Sequence, residues 1–470
     1  MGRRNNRISN FITVLEIIVD AFLINLGFVL GFLIRFKLEL PHNFQAYTSI
    51  ASIVTVTAIV LFYFYGLFSK LRKSLYETLL SVSISLALLS IFTMAYTFFN
   101  RGFNFPRSVF FIAFAIQFVL IILWKMLVWK LQKKFHGVKP VIIFGPKKEA
   151  EQLAKKTVLS SGDLYSVRYI CNTFNDKARS LIDDVDVVLV CSNFANEDKS
   201  RVVAYCLGKN KSLYIVPEFF EIALLNSRIV QFDDIPSFKI EGLGLSLEQR
   251  ALKRMMDIAL SLMGLIVFSP VMFVVALLIK FTSSGPVFYA QERLTEGNRS
   301  FRLYKFRTMI PDAEKYTGPV LAEDDDPRIT KVGKFLRKTR LDELPQLFNV
   351  LRGDMSIVGP RPERPFFVEQ FKREIPDYHY RSAVKAGITG LAQILGKYST
   401  SPKDKLRFDL LYIRNYSLLL DIKIILRTIQ VIFMKEKSRG LSEDKSLQKL
   451  LESMDFNVYN EMGVTVIDKR

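Results

Sequence analysis

The chain has 470 residues, a formal net charge of +20, half of its residues hydrophobic and 40 phenylalanines. With its positive mean hydropathy, this composition is unusual for a purely soluble protein and points to a membrane protein of two or three units. The three cysteines, Cys171, Cys191 and Cys206, show no Cys-x-x-Cys spacing, which speaks against a zinc site or a disulfide framework and suits a reduced compartment.

Lys and Arg number 65 against 45 Asp and Glu. They flank apolar runs, so the excess is assigned to anionic headgroups and phosphate ligands, with no nucleic acid expected. Four apolar runs come first, over residues 12–33, 48–68, 79–99 and 109–128, each near the roughly 20 residues a helix needs to cross a bilayer. The first is long and has no small-residue cleavage site, so an anchor is expected and not a signal peptide. Arg3, Arg4 and Arg7 precede the first run, Lys70, Arg72 and Lys73 follow the second, and Lys130, Lys133 and Lys134 follow the fourth. The other loops carry less charge, with Arg35 and Lys37 in one and Arg101 and Arg107 in the other. That bias places the N-terminus and the segment after the fourth run in the cytoplasm, and Trp124 and Trp129 suit an interfacial belt. Glu16 and Asp20 share a helix face at i, i+4; packing against neighbouring helices is the favoured reading, and an intramembrane function the other.

Strand patterns end at Phe144, Cys171, Val190 and Val216, with helical stretches between, so a parallel-sheet domain over 135–246 is expected. Gly145-Pro146-Lys147-Lys148-Glu149 stands where a dinucleotide fingerprint needs G-x-G-x-x-G. Lys and Glu there would obstruct a pyrophosphate, so no dinucleotide is expected. Residues 258–279 form a fifth uncharged run with positive charge on both sides and Ser269-Pro270 in its middle. Length allows a spanning helix. The flanking charge and the proline favour a helix that enters one leaflet and returns, because a fifth crossing would carry all that follows away from cytosolic nucleotides. The tail over 435–470 is charged, with one amphipathic stretch, 447–454, expected to lie on the surface or stay mobile.

The residues that carry chemistry lie beyond the fifth run. They are Tyr304-Lys305-Phe306-Arg307-Thr308-Met309, Leu341-Asp342-Glu343-Leu344-Pro345, and Arg352-Gly353-Asp354 through Gly359-Pro360-Arg361-Pro362-Glu363. Residues 331–340 read as a basic amphipathic helix suited to a membrane surface. Pro345 is tolerated only in a helix's first turn, so a helix is expected to begin near Asp342. Acids there suit plain capping. An ionised carboxylate at a phosphate-binding helix start, with arginines nearby, is also a competent nucleophile, and Mg²⁺ commonly joins carboxylate and diphosphate oxygens. Pro360-Arg361-Pro362 holds a guanidinium on a stiff turn, which suits a preorganised phosphate contact.

Together these motifs resemble the bacterial sugar transferase family, the monotopic phosphoglycosyl transferases, over about residues 253–433. The upstream runs resemble its large members. The resemblance implies a four-span membrane α-helical region (1–134), an α/β Rossmann-like cytosolic domain (135–246), a mostly α catalytic domain (247–434) with a re-entrant helix over 255–280 broken at Ser269 and Pro270, and a tail (435–470). It implies transfer of hexose 1-phosphate from a UDP-sugar, UDP-glucose first and UDP-galactose second, to undecaprenyl phosphate, with UMP released and polysaccharide synthesis initiated. Asp342 matches the family nucleophile that forms an aspartyl-phosphosugar, and Glu343 its second acid. Both are expected at a Mg²⁺ ion. Lys305, Arg307, Arg337, Arg352 and Arg361 are the expected phosphate and nucleotide-sugar contacts. The implied location is the bacterial cytoplasmic (inner) membrane, with the catalytic domain on its cytoplasmic face and lipid and a homodimer as further partners. The rival class is a non-catalytic scaffold or regulator of glycan assembly.

Overall fold

In the computed structural model the N-terminal apolar runs form five helices: α1 (Gly2–Arg35), α2 (Phe44–Thr48), α3 (Ala51–Phe64), α4 (Leu75–Phe99) and α5 (Arg107–His136). The structure describes residues 2–39, 41–69, 75–100, 105–161, 164–209, 211–311, 326–397, 399–434, 447, 451, 456–461 and 464–469. Lys70, Arg72, Lys73 and Arg101, and most of the stretch 447–454, lie outside the described residues. Helices α1, α4 and α5 are long and apolar enough to cross a membrane. Of the second expected run, 48–68, only α3 is helical, since α2 ends at Thr48 where the run begins, and α3 has 14 residues. At 1.5 Å per residue that is about 21 Å, less than the ~30 Å of a hydrocarbon core.

Small residues let α1 and α5 approach closely. A side chain at Gly27 would strike Gln117, and one at Gly31 would come within 3.3 Å of Ala113. Gln117 uses this proximity to donate to the Ile24 carbonyl at 2.9 Å. About two turns further along α5, Lys125 donates to Asp20 at 2.7 Å and lies 3.5 Å from Glu16, all three buried. The i, i+4 acids of α1 thus face a neighbouring helix and find a cation there.

Next follow β1 (Lys139–Phe144), α6 (Lys147–Ser161), β2 (Tyr165–Cys171), α7 (Asp176–Asp183), β3 (Val187–Val190), α8 (Asn196–Lys209) and β4 (Ser212–Ile215). The four strands are parallel in the order β2-β1-β3-β4. Val141 to Phe144 and Val187 to Val190 are near-continuous apolar runs because helices cover both faces of this sheet. The described strands of the tail are neither loose nor superficial: Phe456–Glu461 and Val464–Lys469 extend the same sheet antiparallel beyond β2, burying Val464, Val466 and Ile467. At the switch point between β1 and β3, where open α/β sheets hold ligands, Glu149 of α6 accepts from the Ser192 amide at 3.2 Å, the Asn193 amide at 3.3 Å and the Ser192 hydroxyl. The chain's own carboxylate therefore caps the loop after β3 at this switch point.

The chain divides into two compact units, Met1–Val216 with Glu443–Arg470, and Pro217–Ser442. The division falls 30 residues before the expected boundary at 246, because Glu218 pairs with Lys403 and Arg407 of the second unit. That unit contains α9 (Phe219–Leu224), β5 (Arg228–Phe232), β6 (Ile235–Lys239), α10 (Leu247–Thr282), β7 (Phe288–Leu294), β8 (Ser300–Phe306), α11 (Lys331–Thr339), α12 (Gln346–Arg352), β9 (Ser356–Val358), α13 (Pro365–Glu374), β10 (Gly387–Thr389), α14 (Leu391–Leu395), α15 (Pro402–Arg414) and α16 (Leu418–Ile432). It is mostly helical, with three two-stranded sheets among the described residues.

Helix α10, 36 residues long, is the fourth helix long and apolar enough to cross a membrane. Ser269 and Pro270 lie inside it. Proline has no N–H to give the carbonyl four residues back, and that carbonyl, of Ile266, instead accepts from the Ser269 hydroxyl at 2.9 Å. The foot of α10 is fixed by three side chains. Lys253 donates to Asp421 at 2.5 Å and to the Tyr412 hydroxyl at 3.1 Å. Arg254 donates to the carbonyls of Val350 and Leu351, capping α12. Asp257 accepts from Ser356 and from the Ile357 amide. Lys253 and Asp421 are buried, so Lys253→Met leaves an uncompensated charge. It is expected to destabilise the unit by about 3–5 kcal/mol, measurable as a lowered denaturant midpoint in detergent; an unchanged midpoint would show that the pair does not hold the helix.

Candidate active site

Helix α11 ends where Arg340 adopts a left-handed conformation, φ 59°. The chain then makes a single 3₁₀ turn, Leu341–Glu343, and enters α12 with Pro345 as its N-cap. The helix expected to begin near Asp342 thus starts four residues later, and the acids occupy the turn before it. Both are buried, Asp342 7% and Glu343 8% exposed. Two neighbouring carboxylates are removed from water only where cations compensate them.

The cations come from three separate elements. Lys305 of β8 and Arg361 of the Pro-Arg-Pro turn each lie 3.2 Å from Glu343 Oε1, and Arg340 lies 3.8 Å from it. Asn349 of α12 sets the position of Lys305: its side chain donates to the Arg302 carbonyl at 2.7 Å and accepts from the Tyr304 amide at 3.0 Å, which fixes β8 against the acid turn. Arg381 sets the position of Arg361. It donates to the Arg361 carbonyl at 2.9 Å and is itself held by Asp409 at 3.0 Å and the Tyr378 hydroxyl at 2.8 Å. Gly333 lets α11 close on β8's continuation, since any side chain there would collide with the Thr308 carbonyl.

These surroundings separate the two acids. Burial opposes ionisation of Glu343, yet Lys305, Arg361 and Arg340 together outweigh it and hold its carboxyl well below the usual range. Asp342 is pushed up to about 6, first by burial and then by the charge of Glu343, against weaker attraction from Lys305, Arg340 and Arg337. At neutral pH both are charged, but their commitments differ. Glu343 Oε1 is engaged, whereas Asp342 Oδ1 is buried with no hydrogen-bond partner. An open carboxylate oxygen in a field of cations can attack an electrophilic phosphorus or join a metal ion. Mg²⁺ is bound by one or two carboxylates plus substrate phosphates, a set that this open oxygen fits. Among the described residues no three His, Cys, Asp or Glu side chains gather as a ready-made metal cage.

The structure thus brings Asp342, Glu343, Lys305 and Arg361 together, with Arg337 one turn back on α11. It does not bring Arg307 or Arg352 to the pair. Arg307 donates to the carbonyls of Ser283 and Ser284 and to the Ser283 hydroxyl, closing the C-terminus of α10. Arg352 is exposed at the end of α12, 3.8 Å from Asp354. Sequence reasoning passed over Arg340, Asn349, Arg381 and Arg293. Arg293, on β7, is half-buried beside Glu363 and has an unpartnered Nε; burial first and Arg361 second lower its pKa to about 10. Its one signal in the sequence is a charged residue within a strand pattern.

The fold and site define a membrane protein with a buried acid pair compensated by cations from separate elements. Residues 248–435 match the model of the bacterial sugar transferase family. The chain is 44% identical over 235 residues to the UDP-N-acetylgalactosamine-undecaprenyl-phosphate N-acetylgalactosaminephosphotransferase of Aeromonas hydrophila, covering 49% of this chain and 55% of that protein. It is 37% identical over 278 residues to the UDP-glucose:undecaprenyl-phosphate glucose-1-phosphate transferase of Klebsiella pneumoniae, covering 57% and 60%. It is 40% identical over 197 residues to the exopolysaccharide production protein PSS of Rhizobium leguminosarum bv. phaseoli, covering 40% of this chain and 96% of that protein. The chain belongs to the bacterial sugar transferase family. It spans little more than half the length of the first two of these relatives.

Proposed function

We propose that the chain transfers a sugar 1-phosphate from a UDP-sugar to undecaprenyl phosphate and so initiates a polysaccharide. The observation that carries this reading is the unpartnered Asp342 oxygen in a ring of cations held by Glu343. Asp342 attacks the sugar-bearing phosphorus; the bond from that phosphorus to the bridging oxygen breaks, and UMP leaves with the electron pair. A phosphate oxygen of the acceptor then attacks the same phosphorus, the Asp342–phosphorus bond breaks, and the carboxylate is restored. Lys305, Arg361 and Arg340 offset the charge that accumulates on the phosphoryl oxygens, the main requirement of phosphoryl transfer. A bound Mg²⁺ would add charge neutralisation on the diphosphate.

In this reading α10 is re-entrant, the site faces the cytoplasm of the inner membrane, and the parallel-sheet domain is Rossmann-like without a nucleotide. A cysteine placed at Glu292 and labelled only from outside would overturn that topology. The relatives' names differ in their sugar, N-acetylgalactosamine in one and glucose in another. UMP release measured across UDP-glucose, UDP-galactose and UDP-N-acetylgalactosamine therefore tests the donor. Release from none of them, with undecaprenyl phosphate present, would favour the non-catalytic scaffold.

The first step needs ionised Asp342. Its pKa lies at about 6, so the rate of UMP release is expected to be flat above neutrality and to fall as pH drops through that value. Glu343 raises the Asp342 pKa, so Glu343→Gln should move this acidic limb to lower pH. A limb that stays in place would show that the two carboxylates are not coupled.

A further inference from the structure

An apolar groove of about 420 Å³ runs between α10 and α12, lined by Leu265, Ile266, Ser269, Met272 and Phe348. Resting on the acceptor reading above, we infer that this groove seats the first isoprene units of the polyprenyl acceptor, so that α10 is a binding surface for the lipid chain as well as an anchor.

Leu265, Ser269 and Met272 recur at i, i+4 and i+7 and so share one face of α10. Gly264 keeps α12 close behind that face, since a Cβ there would come within 3.2 Å of Leu347. The wall offers no spare hydroxyl proton, because Ser269 spends its own on the Ile266 carbonyl. Such a surface selects hydrocarbon over a polar head, and each buried methylene stabilises by about 0.8 kcal/mol.

Continuity identifies the occupant. Leu265 and Met272 pack in the same cluster as Leu336, Leu341 and Leu344. Leu341 and Leu344 flank Asp342 and Glu343 directly in the chain. Apolar packing therefore links the groove face of a membrane-length helix to the acid turn, and Lys305, Arg340 and Arg361 meet Glu343 there, in place for a phosphate head. Phe348, half exposed, closes the groove one turn beyond Pro345. A molecule with a long apolar chain ending in phosphate matches both ends, whereas a bulk phospholipid acyl chain has no reason to terminate at Asp342.

The test separates this inference from the activity itself. The stoichiometric burst of UMP without acceptor reports the donor step. The KM for acceptor phosphates of 5, 10, 20 and 55 carbons reports the groove. The natural chain is expected to show KM falling from the shortest acceptor to the 20-carbon one and levelling thereafter. In Ile266→Trp, which fills the groove from an exposed position, that advantage should shrink about tenfold, the equivalent of roughly two methylenes. An unchanged chain-length profile, in a variant that keeps its burst, would overturn the inference. Photocrosslinking of the natural chain with a polyprenyl phosphate bearing a diazirine on its first isoprene unit does not depend on any variant. Adducts on residues 265–272 or Phe348 support the groove; adducts confined to other helices reject it. Absence of any burst from the natural chain would instead count against the activity.

Discussion

Replacing Asp342 by Asn is expected to lower UMP release by about a thousandfold or more and to abolish the covalent phosphosugar adduct. The substitution keeps the size of the side chain and its place in the 3₁₀ turn, and removes a carboxylate oxygen that is buried without a partner. Loss of a nucleophile that acts in both halves of a reaction removes most of the acceleration. The residual rate reports the cations alone. Intact-protein mass measurement after mixing with UDP-sugar, without acceptor, should show the mass of a sugar phosphate on the natural chain and none on the variant. Full turnover by Asp342→Asn would end the nucleophile assignment. Glu343→Gln differs in kind: it removes the anchor of Lys305, Arg340 and Arg361, so it should slow both half-reactions while still forming some adduct.

Arg361→Ala is expected to reduce kcat by about 10² to 10³, the usual loss when one preorganised donor to a developing anion is removed. The guanidinium contacts Glu343 at 3.2 Å, and the charge of Glu343 raises its pKa, so it is charged at every accessible pH. Arg361→Lys should recover only part of the loss, because an ammonium lacks the planar fork that spans carboxylate and phosphate. Single-turnover measurement of the donor step, with denaturant unfolding as a control, separates lost charge from lost fold. A variant as fast as the natural chain would place Arg361 outside the reaction. The 70%-exposed Arg352 carries no comparable expectation, since its side chain points to Asp354 and not to the acid turn.

Much of this molecule was readable from local pattern. Apolar runs of near-spanning length became α1, α4, α5 and α10, because backbone hydrogen bonding inside hydrocarbon leaves helices as the solution for such segments. Continuous apolar tetrads became parallel strands because both their faces are covered. Ser269 beside Pro270 was legible as a hydroxyl for a freed carbonyl, a contact within one helical turn. The late start of α3 within the second run and the earlier unit boundary were not legible. The first rests on a turn at Ser49 and Ile50, and the second on ion pairs from Glu218 to residues nearly 190 positions away.

The acid pair marks the limit most clearly. Sequence alone determined that Asp342 and Glu343 precede a proline, follow a basic helix and belong with the Lys-Phe-Arg-Thr-Met and Pro-Arg-Pro motifs. It did not determine which cations meet which acid. Arg307 sits two residues from Lys305 yet caps α10, whereas Arg340, unremarkable in a basic run, reaches Glu343. The tail was decided in the same way, by the open edge of β2 that its strands complete. Helices and strands follow from periodicity and backbone hydrogen bonds over a few residues. Partners for a buried charge follow from desolvation, which depends on every element that closes over it, and only the tertiary structure brings those elements together.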